Sequence, residues 1–154
     1  MKKHWITAMC IVATAVALAS SNAWATGFQI RTACTGSGQS FPASGPAIPF
    51  HTLSTTFGHW INSTTVHIDS GSLTVNAQGL ICSYTLDTTA TSTSVFSSDG
   101  TGANTTAWKP AATNSTNCQP AFTGHMALTS TNDGAFFVGT DPAEASSGTC
   151  VNSL

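Results

Sequence analysis

Apolar side chains in this chain recur at every second position, in short runs, and nowhere after residue 26 do they hold a period of 3.6. Period two belongs to strands and period 3.6 to helices, so the pattern points away from a helical fold. Phe28-Gln29-Ile30-Arg31 and Thr65-Val66-His67-Ile68-Asp69 alternate. Ser72-Leu73-Thr74-Val75-Asn76 puts Leu73 and Val75 on one face. Residues 80–86 set Leu80, Cys82, Tyr84 and Leu86 on one face and Ile81 on the other. Residues 122–128 and Ala135-Phe136-Phe137-Val138 supply later candidates. Ser70-Gly71, Gln78-Gly79, Asp99-Gly100 and Asp133-Gly134 read as turns between them. Hairpins are expected across Ala77-Gln78-Gly79 and across Asp133-Gly134. Short strands at this spacing predict an all-β fold, an antiparallel β-sandwich or barrel. Thr35 to Pro49 and Ser97 to Asn117, rich in small and polar residues, read as loops.

Ahead of this region stand Met1-Lys2-Lys3, an apolar run from Trp5 to Ala19, and Ala23-Trp24-Ala25. A charged start, a short apolar stretch and an A-x-A site define a secretory signal peptide. Residues 1–25 are therefore expected to be cleaved. Residues 26–154 are expected to form a single β-rich extracellular domain, secreted or at the cell surface, with the periplasm as the other destination. The apolar run is shorter than the ~20 residues of a membrane span, and no transmembrane segment is expected in the mature chain. Without Lys2 and Lys3 the cations are Arg31 and Lys109, set against six acids, for a net charge of about −4. Two scattered cations cannot neutralise a row of phosphates, which excludes nucleic acid as a partner.

Cys34, Cys82, Cys118 and Cys150 remain once Cys10 is removed with the signal. An even set in an exported chain reads as two disulfides. Three connectivities are open, and chain order favours Cys34–Cys82 with Cys118–Cys150. No C-x-x-C spacing points to zinc or to redox chemistry. Serine and threonine make up nearly a third of the exported chain, a composition that suits exposed strand faces.

Little of the remaining sequence carries chemistry. His51, His59 and His67 recur every eight residues, and His67-x-Asp69 shares a strand face. Imidazole and carboxylate together can hold a metal. Gly58 and the turn expected at Ser70-Gly71 interrupt the pattern, so the spacing alone assigns no metal ligand and no cofactor. An enzyme would require some cluster of His51, His59, His67, Asp69 and Asp87 to converge in one cleft. Asp-Ser-Gly at residues 69–71 lacks the flanks of a protease nucleophile, and no nucleophile elbow is present. The asparagine acceptor patterns at Asn62, Asn104 and Asn114 are expected by chance in so Ser/Thr-rich a chain. Phe50, Phe57, Phe122, Phe136 and Phe137 are expected in the core. Trp60 and Trp108 are the candidates for stacking a sugar or other ligand, Trp108 being the better placed inside a polar loop.

The segment DSGSLTVNAQGLICSYTLDTTAT, residues 69–91, resembles a strand–turn–strand of small secreted bacterial proteins known as activators of alkane oxidation. Asn117-Cys118-Gln119-Pro120 and the ending Gly148-Thr149-Cys150-Val151-Asn152-Ser153-Leu154 are similar to other parts of that family. Cys34 and the 97–117 stretch depart from its pattern. The resemblance covers about half of the mature chain and implies a cell-surface or biofilm-matrix role, with no catalytic residue carried over. The sequence thus predicts a non-enzymatic structural or adhesion-type protein. Its scarcity of charge, which normally protects strand edges, points to self-association through those edges. A small carbohydrate- or ligand-binding β module is the alternative.

Overall fold

Among the described residues the alternation resolves into nine strands and no helix. They are β1 (Gln29–Ser40), β2 (Ile48–Trp60), β3 (Thr65–Ala77), β4 (Leu80–Leu86), β5 (Thr93–Phe96), β6 (Thr101–Pro110), β7 (Phe122–Ser130), β8 (Gly134–Gly139) and β9 (Glu144–Ser153). The structure, a computed structural model, describes residues 27–153. The signal peptide expected over residues 1–25 lies outside the described residues, as does Leu154. Burial follows the period of two. In β2, Phe50, Thr52, Ser54, Thr56 and Trp60 face inward while Pro49, His51, Leu53 and Phe57 face out.

Each strand runs antiparallel to its neighbours, and β2 returns to β3 to close the ring. β4 and β5 share one position in that ring. β4 pairs with Ser72–Ala77 of β3 and β5 pairs with Thr65–His67, and both then pair with β6. The result is a closed, eight-stranded, up-and-down barrel. Of the two architectures expected, this is the barrel. A barrel of this size is just wide enough to be filled by side chains. Here Trp60, Trp108, Phe50, Phe137, Ile68, Leu73 and Met126 fill it.

Barrel closure explains the disulfides. β1 lies along β9 with Cys34 directly opposite Cys150, and these two are bonded; the second bridge joins Cys82 to Cys118. The pairing favoured by chain order, Cys34–Cys82 with Cys118–Cys150, is not the one formed. An up-and-down barrel lays its last strand on its first, which brings together cysteines 116 residues apart. By the loop-entropy relation this bridge is worth about 5 kcal/mol and the shorter one about 4 kcal/mol.

Cys118 belongs to a loop that covers the stretch of β4 beyond the reach of β6. The Ser83 N–H donates to Asn114 Oδ1 (2.9 Å), while Asn114 Nδ2 and the Ala111 N–H both donate to the Ser83 carbonyl (2.7 and 2.9 Å). Asn114 thus replaces a missing strand. With the ring closed, the first and last strands pair with each other and leave no free edge at the seam.

Local readings fared unevenly. The β3–β4 hairpin turns on Gln78 and Gly79, with φ of 52° and 87°, as a two-residue turn of the primed type requires. Leu80, Tyr84 and Leu86 point inward and Ile81 outward, as expected. Ser70-Gly71 is not a turn, because β3 runs straight through it. The expected loop at 35–49 shrinks to residues 41–47, and that at 97–117 contains all of β6. Phe57 and Phe136 are exposed rather than core residues. Phe136 and Phe137 are adjacent in one strand, so only one of them can face inward.

Candidate functional site

Across β2 and β3, Phe57 pairs with Ser70 but Gly58 pairs with Ile68. Asp69 is therefore one residue too many, a β-bulge, which bends a strand and re-aims a side chain. Immediately beyond it His59 and His67 stand directly opposite each other on the outer wall, with ring centroids 5.4 Å apart. The carboxylate of Asp69 reaches both rings. Its Oδ2 lies 2.7 Å from His59 Nδ1 and its Oδ1 lies 3.1 Å from His67 Nδ1. All three side chains are partly open to solvent. The donor atoms they offer lie within 4.8 Å of one another. Alongside is a depression of about 450 Å³, lined by residues of β1 (Gln29, Ile30, Arg31), by Phe57 and Gly58, and by Asp69 and Ser70.

Of the five candidates His51, His59, His67, Asp69 and Asp87, the fold brings His59, His67 and Asp69 together and leaves the other two apart. His51 stands eight residues before His59 on β2, opposite Asn76. Asp87 lies past the end of β4, where its carboxylate accepts from the Thr89 N–H (3.0 Å) and hydroxyl (2.7 Å). These bonds, the hydroxyl first, hold the Asp87 carboxyl below the usual aspartate range. Trp60 and Trp108 are both 1 % exposed. Neither offers a stacking platform. Trp60 sits beside Phe96 inside the barrel, and Trp108 Nε1 donates to Thr106 Oγ1 at 3.1 Å. Trp108 is buried because the polar stretch around it is the strand β6, in which its side chain takes an inward position.

A second feature of the surface is the outer wall over β2, β1, β9 and β8. One registered row crosses it: Leu53, Thr35, Thr149 and Phe136. Val138 follows Phe136 on the same face, and Val151 follows Thr149. Leu53, Phe136, Val138 and Val151 are between 56 % and 60 % exposed. Among the described residues no Asp, Glu, Lys or Arg occupies an outward position of β7, β8 or β9. This patch was missed in the sequence, although the doublet Phe136-Phe137 signals it: strict alternation must expose one of the pair.

No family model, curated protein or solved structure matches the chain. What the fold and surface define is a disulfide-stapled up-and-down barrel with a packed interior, whose distinctive groups all stand on its outer wall.

Proposed function

We propose that this is a non-enzymatic protein of the cell surface or extracellular matrix, and that it self-associates through the outer wall of β2, β1, β9 and β8. The observation that carries the reading is the exposure of Leu53 and Phe136 in one registered row, with Val138 and Val151 beside it, among threonine, serine and alanine. Large exposed apolar side chains grouped on one face mark interaction sites. Charge is what normally keeps such faces apart. A second copy of the chain is the natural partner, since the wall's one outward charged residue, Arg31 near the start of β1, sets up little electrostatic demand for an unlike one. Export is supported by the two disulfides, which form in oxidising compartments. Among the described residues no helix is long and apolar enough to cross a membrane. The likeness of residues 69–91 to secreted activators of alkane oxidation points the same way.

Sedimentation velocity over a wide concentration range tests the proposal. The protein is expected to form oligomers as concentration rises, and more so in ammonium sulfate, which strengthens apolar association. Phe136→Lys, at an exposed position, should shift the onset of association to at least about 10-fold higher concentration. A strict monomer at the highest concentration would contradict the reading, as would unchanged assembly by Phe136→Lys.

A further inference from the structure

We infer that His59, His67 and Asp69 form a binding site for one divalent transition-metal ion of the copper and zinc class, with open coordination positions toward the neighbouring depression.

This chain has six acids, and most of those with a described partner are used in one way. Asp87, Asp99 and Asp141 turn their carboxylates to backbone N–H groups two residues ahead, in turns. That is the ordinary local use of aspartate. Asp69 does otherwise. It is the extra residue of a bulge, and each of its oxygens faces a different imidazole. Both imidazoles come from facing positions of adjacent strands, so the barrel backbone fixes their separation. Placing a site on strands gives more precision than placing it on loops.

Distances then limit the ion. The donor atoms lie within 4.8 Å of one another. Around an ion bonded at 2.0–2.2 Å such atoms sit roughly 3.3 Å apart. Half-open side chains can make that adjustment by rotation, without moving a strand. Two imidazole nitrogens and one carboxylate oxygen suit copper, nickel and zinc, whereas calcium and magnesium require shells of oxygen. Three protein ligands leave at least one position for water or an exogenous group, which is the pattern of an open site. The depression of about 450 Å³, which Asp69 lines and the two histidines do not, gives room on the carboxylate side of the site.

A surface ion pair is the competing explanation, and such pairs contribute little. The two are separated by titrating the untagged protein with Cu²⁺ and Zn²⁺, by calorimetry and, for Cu²⁺, by electron paramagnetic resonance. One ion per chain is expected, copper bound more tightly than zinc, with nitrogen hyperfine structure in the copper spectrum. His59→Ala and His67→Ala should each weaken binding more than about 10-fold, and Asp69→Asn should weaken it too. His51→Ala and His125→Ala, away from the cluster, should leave binding unchanged. All five positions are on the outer wall, and near-ultraviolet circular dichroism checks that each variant stays folded. Absence of stoichiometric binding by either ion would overturn the inference. So would binding that survives His59→Ala and His67→Ala.

Discussion

At the scale of single residues, the few charges in this protein have local tasks. Asp99 accepts from the Thr101 hydroxyl (2.7 Å) and N–H (2.9 Å), which pins the turn between β5 and β6. Those bonds, the hydroxyl first, hold the Asp99 carboxyl below its usual range, and Thr89 does the same for Asp87. A carboxyl lowered in the folded state stabilises the fold at pH above its unfolded value of about 3.9 and loses that contribution as pH falls through its folded value. Melting temperature should therefore drop on acidification below about pH 4. Asp99→Asn keeps an oxygen acceptor but cannot titrate, so its acid limb should be shallower than that of the parent. Superimposable limbs in thermal melts between pH 2 and 5 would remove Asp99 from the explanation.

Among elements, β4 shows how a short strand is completed by a loop. Asn114 makes two hydrogen bonds to Ser83, at 2.9 and 2.7 Å, where β6 has already turned away. Losing both leaves the Ser83 N–H without a partner, while Ala111 still serves the carbonyl, so Asn114→Ala should cost about 1–3 kcal/mol in chemical denaturation, with Cys82–Cys118 still in place. A loss below a few tenths would mean that water serves Ser83 equally well. How far such elements could be read in advance depended on where their causes lie. Residues 72–86 were legible because their alternation and the turn at Gln78-Gly79 are contained within the segment. Thr35–Ser40 was not, since its Gly-Ser-Gly looks like a loop when taken alone. Gly36 is small because the Phe137 ring fills the space where a side chain would be, a cause far away in sequence. The site was half legible. His59, His67 and Asp69 could be singled out by residue type, but their meeting depends on a bulge that leaves no mark in composition. Trp108 was misplaced for a related reason: polar neighbours suggested a loop, while the barrel uses buried Asn104 and Thr106 as interior groups that bond within the barrel.

The molecule as a whole packs Trp60, Trp108, Phe50, Phe96, Phe137 and Tyr84 inside the barrel, and leaves Phe28, Phe41, Phe57 and Phe136 exposed among serine and threonine. Closure of β1 on β9, stapled by Cys34–Cys150, also changes the route by which copies can meet. A sheet with an open edge joins others through backbone hydrogen bonds, whereas a closed barrel has only side chains to offer. Amide hydrogen exchange on β1 and β9, followed from dilute to concentrated protein, distinguishes these routes in one measurement. With the seam closed, the amides of Thr32–Gly38 and Ser146–Val151 that bond across it should be as slow to exchange in the dilute monomer as those shared by β6 and β7, and should stay so on assembly. Fast exchange along either strand in the monomer, slowing as assemblies form, would contradict a closed barrel that associates through its wall.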